Sequence, residues 1–236
     1  MTLLITEIHP TPSGDVVVFA ADRRISRDGA DAGARKKVFR IPGRKAGIGY
    51  FGLAEIETGA SLQPMSEWVQ DFFYSIDPSD DLAAIADRLA TALNATVPRF
   101  YAESEVAGFH LAGLRPDGSA EFWFIRNIDD AGRLRLRRFE AREDLQGRDR
   151  PASPTGVSVI YRNGDTRAHV AAWRALDQSL GALLGTTDFR PVITTRDYED
   201  WVTFKMETLA AFYEVFATES IIGRPVDCFV ISPNDT

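Results

Sequence analysis

The sequence predicts an α+β fold in which two mainly antiparallel sheets lie between two helical layers. The elements follow in the order strands, two helices, strands, two helices, strand. The helices each have one apolar face to bury, and the strands are separated by turns rich in proline and glycine. A four-layer αββα sandwich would bury these faces economically. We expect a single domain over residues 1–236.

Strands are predicted first, in two pairs near the start of the chain. Apolar and β-branched runs there are separated by the turns Pro10–Gly14 and Pro42–Gly43, which suggests hairpins. The predicted strands cover residues 3–8, 16–21, 37–41 and 45–51.

Four amphipathic helices are then predicted from apolar residues that recur at three- and four-residue steps. The second begins at a cap, Ser79 or Asp80, and ends before Pro98, and the third begins near Asp165. The positions that define the helices are Met65, Trp68, Val69, Phe72 and Phe73; Leu82, Ile85, Ala86, Leu89 and Leu93; Val170, Trp173, Leu176 and Leu180; and Trp201, Phe204, Leu209, Phe212 and Val215.

Between and after these helices the pattern returns to strands. Residues 140–156 are charged and contain two prolines, so we expect a surface loop there, which is also the one candidate linker. The later predicted strands cover residues 108–114, 120–125, 133–137 and 226–231.

Composition excludes several classes of function. The 27 Lys and Arg against 34 Asp and Glu give a net charge of −7, which disfavours nucleic-acid binding. The arginine-rich stretch from Arg133 to Arg150 also contains acids, so a solvated hairpin is expected. No apolar run approaches the ~20 residues that span a membrane, and the N-terminus does not resemble a signal peptide. Cys228 is the one cysteine, so we expect a cytoplasmic protein without a disulfide.

Three common kinds of site find little support. His9, His110 and His169 share no metal-ligand spacing, so no metal is predicted. The GxSxG pattern of α/β-hydrolases is absent. Gly47 to Gly52 matches GxGxxG, but a turn precedes it and its glycines alternate within a predicted strand, so no dinucleotide cofactor is expected.

Thr2 offers a different chemistry. A small residue in this position permits removal of Met1, which would leave the threonine with a free α-amino group beside its own hydroxyl. The amine, with an unperturbed pKa of about 7.7–8.0, can act as the base for that hydroxyl. A nearby cation held by an acid would lower this pKa, and Asp22 and the pair Lys36-Lys37 stand at strand ends.

Four segments closely resemble the opening of proteasome β-type subunits and of the peptidase in the bacterial two-component proteasome-like protease. They are Thr2–Ile5, Val16–Arg24, Lys36–Val38 and Gly49–Ala54. Members of this family are N-terminal nucleophile hydrolases with an αββα sandwich, which agrees with the element order above.

The resemblance implies a role for each matching residue. Thr2 would be nucleophile and base, Asp22 would orient Lys37, and the Gly52 N–H would form the oxyanion hole. Lys36 would point to the opposite face. The substrate pocket would draw on Ile25, Arg35, Tyr50 and Ala54.

At the level of the whole protein, the resemblance implies a threonine-type hydrolase of peptide or other amide bonds that uses no cofactor. It also implies a homo-oligomer, as a ring or stacked rings, and allows for an ATPase partner. Neither nucleic acid nor membrane is expected as a partner.

The chain departs from the family pattern in its supporting polar residues. The family has Asp-x-x-Ser-Gly-Gly before the last strand, where this chain has Glu219 to Arg224. Glu219 is the candidate supporting acid, but Ile222 cannot replace the serine hydroxyl. Val106 stands near a second family serine position. The alternative prediction is therefore a catalytically inactive homologue that acts as an assembly or interaction subunit.

Overall fold

A computed structural model of the chain describes residues 2–27, 30–58, 61–97, 106–128, 135–144, 158–164, 173–219 and 221–235. Over these ranges the protein is mixed α/β, with four helices and several antiparallel sheets. The predicted mixture of helices and antiparallel strands is thus confirmed.

The elements follow the predicted order, with additional short strands. The strands are β1 (Leu3–Thr11), β2 (Gly14–Asp22), β3 (Arg24–Arg27), β4 (Ala30–Ala34), β5 (Val38–Arg40), β6 (Ala46–Phe51), β7 (Glu55–Thr58), β8 (Ser61–Pro64), β9 (Gly108–Leu114), β10 (Ala120–Ile128), β11 (Arg135–Glu143), β12 (Val159–Gly164) and β13 (Val226–Ile231). The helices are α1 (Met65–Phe73), α2 (Leu82–Thr96), α3 (Trp173–Leu184) and α4 (Thr195–Phe216). None of these helices is both long enough and apolar enough to cross a membrane.

Two larger sheets organise these strands. The first has the order β12-β1-β2-β13 and the second the order β11-β10-β9-β6-β5, with antiparallel pairing throughout. Two hairpins, β3-β4 and β7-β8, are separate. In the first sheet Leu4 pairs with Ala21, and this register brings the beginning of β1 beside the end of β2.

Helix α4 packs on the first sheet. Val202, Met206 and Leu209 on its apolar face share a buried cluster with Val18 and Ala20 of β2. Full burial of each such side chain contributes about 1.5–3 kcal/mol, so this face holds the helix in place.

Helix α2 packs in the same way on the second sheet. Its residues Ile85, Leu89 and Leu93 share a cluster with Phe109 and Leu111 of β9. A third buried cluster contains residues of both sheets, among them Leu4, Val17 and Phe19 from the first and Phe51 and Phe122 from the second.

The residue that caps the N-terminus of α2 differs from the predicted one. Helix α2 is capped by Asp81, whose Oδ1 accepts from the Ala84 N–H at 2.8 Å, and not by Ser79 or Asp80. Asp80 instead accepts from the N–H of Asp77 in the turn before the helix, at 3.0 Å. Because several acids stand in sequence here, the pattern did not identify which one is the cap.

The predicted surface loop at 140–156 was wrong at its beginning. Residues up to Glu143 belong to β11, which pairs with β10 at the edge of the second sheet. Phe139 is buried whereas Arg138 and Arg142 are exposed, so the segment alternates as a strand with one polar face does. The prediction failed because the many charged residues of this stretch obscure its alternation between buried and exposed positions.

Five strands were not predicted: β12, which pairs with β1, and the strands of the hairpins β3-β4 and β7-β8. These strands are four to six residues long and lack a clear apolar alternation. Their hydrogen-bonding partners stabilise them more than their own composition does. The predicted start of the third helix, with Val170 and His169, lies outside the described residues.

Candidate active site

The strand register places Thr2 close to Asp22. Thr2 precedes β1 and Asp22 ends β2, and both side chains are buried. Asp22 Oδ1 accepts a hydrogen bond from the Leu3 N–H at 2.7 Å. The carboxylate is therefore fixed one residue from the candidate nucleophile.

Lys37, which immediately precedes β5 of the second sheet, reaches the same carboxylate. Its Nζ donates to Asp22 Oδ1 at 3.2 Å and to the carbonyl oxygen of Arg24 at 2.6 Å. The Lys37 side chain is fully buried, while Lys36 is exposed. The chain thus turns one lysine of the pair inward and the other outward, as alternation along an extended segment predicts.

Burial and mutual attraction oppose each other in this pair. Burial raises the pKa of Asp22, and the charge of Lys37 and the Leu3 N–H act against that increase. Burial likewise lowers the pKa of Lys37, and the attraction of Asp22 acts against that decrease. Each of the two side chains therefore depends on its partner to remain charged in the interior.

A small cavity of about 30 Å³ lies beside this pair. A volume of that size has room for roughly one water molecule. Its lining brings together most of the residues that the resemblance implies for the site. The lining residues are Thr2, Ile25, Lys37, Tyr50, Gly52, Leu53 and Ala54.

Gly52 follows the last residue of β6 in a conformation that requires glycine. Its φ angle is +91°, and a Cβ there would lie 2.7 Å from the Cα of Ala107 and would clash with the carbonyl of Val106. This close backbone approach fixes the position of the Gly52 peptide at the cavity.

Tyr50 forms a rigid wall of the cavity. The side chain is buried, and its hydroxyl donates to the carbonyl oxygen of Lys36 at 3.1 Å. Burial raises the pKa of Tyr50, with the charge of Arg35 acting in the opposite direction. Arg35 is half-buried and is not part of the lining, although its charge reaches the Tyr50 phenol.

The residues at the family's later motif are not brought into the lining. Glu219 is exposed in the segment between α4 and β13. Ile222 is buried in the cluster beneath α4. Val106 is exposed by 37%, and its carbonyl oxygen lies close to Gly52.

Gly164 is a positioning residue that the sequence analysis missed. It ends β12 and pairs with Leu3, with a φ angle of +111°. A Cβ at this position would overlap the carbonyl group of Thr2, so only glycine allows the strand to approach the candidate nucleophile so closely. The dipeptide Asn163-Gly164 is a turn signal that could have identified it.

The structure also bears on the glycine-rich alternative. Gly47 and Gly49 lie within β6, and the chain continues into β7 and not into a helix. A Cβ at Gly47 would meet the ring of Phe229 at 2.7 Å, and one at Gly49 would meet Leu4 at 2.6 Å. These glycines therefore allow the two sheets to pack closely, which explains the glycine pattern without a bound dinucleotide.

Metal binding and thiol chemistry find no support within the described part of the chain. No group of three or more potential ligands is placed there to hold a metal ion. Buried His110 hydrogen-bonds Thr6 Oγ1 at 2.9 Å and Asn163 Oδ1 at 2.7 Å. Burial raises the pKa of Cys228 to about 12, so its thiol stays protonated at neutral pH.

Comparison with protein-family models gives no match to this chain, and a search of curated proteins finds no similar sequence. A functional assignment therefore depends on the residues and geometry described above.

Proposed function

We propose that the chain is a proteasome-like, threonine-type N-terminal nucleophile hydrolase that cleaves peptide or other amide bonds once Met1 has been removed. One observation carries this proposal. A buried Asp22–Lys37 pair lies next to Thr2, at a cavity that the Gly52 peptide also lines. A charged pair is costly to bury, so its presence beside a hydroxyl favours a chemical role.

The residues divide the reaction between them. The α-amino group of Thr2 accepts the Oγ proton as Oγ attacks the substrate carbonyl carbon. The carbonyl oxygen becomes an oxyanion, which the Gly52 N–H stabilises. When the carbon–nitrogen bond breaks, the amine leaves with the proton held by the α-amino group. Water, deprotonated by the same amine, then hydrolyses the threonine ester and releases the acid.

Lys37 sets the protonation state of the base in this scheme. Its positive charge beside the cavity lowers the pKa of the Thr2 amine, which keeps a larger fraction neutral at pH 7. Asp22 keeps that cation charged and directs it. The enzyme would use no cofactor.

The same proposal includes the four-layer αββα arrangement. Helix α2 contacts one sheet, helix α4 contacts the other, and a third apolar cluster draws on both sheets. These contacts support the four-layer order that the resemblance implies.

The cavity supports a restricted substrate range. Tyr50 and Leu53 are buried walls of the cavity, and Tyr50 is also fixed by the hydrogen bond from its hydroxyl to the Lys36 carbonyl oxygen, so neither side chain can easily yield space to a bulky group. We therefore expect substrates with a small side chain next to the scissile carbonyl. A cytoplasmic homo-oligomer, with or without an ATPase partner, completes the proposal.

Hydrolysis of a peptide library tests the assignment. The wild-type protein is expected to cleave a subset of peptides, and the Thr2→Ala variant none of them. Thr2→Ser is the matched control because it keeps a hydroxyl and a free amine and should retain activity. Cleavage by Thr2→Ala at the wild-type rate would contradict the assignment.

One observation favours the alternative of an inactive subunit. Ile222 stands where the family has a serine, and it is 1% exposed in an apolar cluster. A hydroxyl that would hydrogen-bond the threonine amine is thus replaced by a hydrocarbon side chain. A wild-type protein that lacks Met1 but cleaves no peptide would support this alternative.

A further inference from the structure

A second hydroxyl nucleophile lies at the other end of β1. Ser158 immediately precedes β12, which pairs with β1 so that Ser158 stands across from His9. Ser158 Oγ lies 2.7 Å from His9 Nδ1, and His9 Nε2 lies 2.9 Å from Glu7 Oε2. Strand geometry of about 3.3 Å per residue separates this group from Thr2 by roughly 23 Å.

The ionisation of Glu7 determines which ring nitrogen of His9 carries a proton. The carboxylate is buried, and the hydrogen bond to His9 and the charge of Lys205 hold the pKa of Glu7 below its usual value against the effect of burial. An ionised carboxylate only accepts hydrogen bonds, so His9 Nε2 must carry the proton that Glu7 binds. In the neutral ring, Nδ1 is then the acceptor and Ser158 Oγ is the donor.

The histidine is held firmly in this orientation. Tyr198 of α4 packs against the His9 ring with centroids 4.7 Å apart. Glu7 is held in turn by Lys205, whose Nζ lies 2.9 Å from Oε1 and 2.6 Å from Asp177 Oδ1. A fixed carboxylate that orients a histidine towards a hydroxyl is the arrangement that activates serine nucleophiles.

A substrate can reach this group from solvent. The His9 side chain is 12% exposed and Ser158 is half-buried, whereas Glu7 is fully enclosed. Among the described residues, Lys205 pairs with the carboxylates of Glu7 and Asp177, and Arg162 pairs with Asp177. Because these charges are paired with one another, the site favours an uncharged acyl group.

We infer that Ser158, His9 and Glu7 form a second nucleophilic site, separate from Thr2, that accepts uncharged carboxylic esters. Ser158 Oγ attacks the ester carbonyl while His9 Nδ1 takes the hydroxyl proton. The carbon–oxygen bond of the ester breaks, and the leaving alcohol receives that proton from His9. Water, deprotonated by His9, then hydrolyses the acyl-serine to the carboxylic acid and free Ser158.

Peptide mapping after treatment with a fluorophosphonate tests the site on the whole protein. One adduct is expected on Ser158 in the wild type and in the Thr2→Ala variant, which separates this site from the one at Thr2. The adduct should be absent from Ser158→Ala and present in Ser13→Ala, whose serine lies in an exposed turn. Folded wild-type protein without an adduct on Ser158 would overturn the inference.

A second measurement separates activation from simple exposure. In His9→Gln the rate of labelling should fall about 10²-fold, the usual contribution of a general base. If that variant does not fold, Ser158→Cys replaces it. Its thiol should react with iodoacetamide at pH 7 at least about tenfold faster than the thiol of Ser13→Cys, because His9 favours the thiolate. Equal rates in either comparison would show that His9 does not activate position 158.

Discussion

Lys37 Nζ lies 3.2 Å from Asp22 Oδ1, and neither side chain is exposed to solvent. Asp22 ends β2 of the first sheet and Lys37 immediately precedes β5 of the second, so the ion pair also connects the two sheets beside Thr2. Removing one partner leaves a buried charge without compensation, which makes this pair sensitive to substitution.

Replacement of Lys37 by alanine is expected to lower the free energy of unfolding by about 3–5 kcal/mol at pH 7, because Asp22 then remains buried without its cation. Lys36→Ala is the matched control. Its side chain is exposed, and its substitution should change stability by less than about 0.5 kcal/mol. Urea unfolding at pH 7 measures both values, and equal stability of the two variants would contradict the role of the pair.

Replacement of Gly52 by alanine should destabilise the protein more than replacement of Gly43. Both glycines have positive φ angles, +91° and +71°, so both variants carry backbone strain. A Cβ at Gly52 also meets the backbone of residues 106–107, whereas one at Gly43 has no heavy atom within 4 Å. We expect Gly43→Ala to cost about 1 kcal/mol and Gly52→Ala at least about 2 kcal/mol more. Thermal unfolding of the two variants would reveal the difference.

Glu7 should make stability depend on pH in the acid range. Its pKa in the folded protein is lowered from 4.5, mainly by His9 and Lys205 acting against burial. A lowered pKa stabilises the fold above the unfolded value, and this contribution is lost as pH falls through the folded pKa. In Glu7→Gln, this part of the acid-dependent loss should be absent.

Urea titrations between pH 7 and pH 3 test that expectation. At pH 7 the Glu7→Gln variant should be less stable than the wild type by roughly 3 kcal/mol, and the gap should narrow as pH falls below 4.5. Glu57→Gln, at an exposed position on β7, is the control. A gap that stays constant across this range would show that the ionisation of Glu7 is not coupled to folding.

Much of the fold could be predicted because its long elements have clear periods. Strands β9 and β13 have the predicted bounds, and α1 and α2 bury most of their predicted apolar positions, whereas Phe204, Phe212 and Val215 of α4 are exposed. The periodicity fails for β12, which is six residues long and half-buried throughout. This strand forms because it pairs with β1, which is distant in sequence. A local sequence pattern cannot predict such pairing.

For the candidate site, too, some residues could be predicted from the sequence and others could not. The residues that line the cavity stand in recognisable segments at strand ends, so Thr2, Lys37 and Gly52 could be proposed from sequence. The turn signal Asn163-Gly164 marks the position of Gly164 but not its role, which is set by the close approach of β12 to Thr2. The Ser158–His9 contact was missed for the same reason, since 149 residues separate the two in the chain.

Self-association remains a prediction. The aromatics Trp68 and Phe72 of α1 are buried in the protein's own core, whereas Phe204 of α4 is exposed by 53%. Phe204 and Phe212 lie two helical turns apart on α4, and both are exposed. We expect light scattering at micromolar concentration to show a homo-oligomer, and the double variant Phe204→Ser/Phe212→Ser to shift it towards the monomer. A wild-type monomer would contradict this prediction.

The most direct test of the Thr2 assignment is the intact mass of the protein after incubation with a β-lactone or epoxyketone that reacts with N-terminal threonine. The proposal predicts a wild-type protein that lacks Met1 and carries one probe, with the adduct mapped to Thr2. The Thr2→Ala variant should lose Met1 equally and carry no probe. Wild-type protein that lacks Met1, is folded, and remains unmodified under excess probe would contradict the assignment of Thr2 as nucleophile.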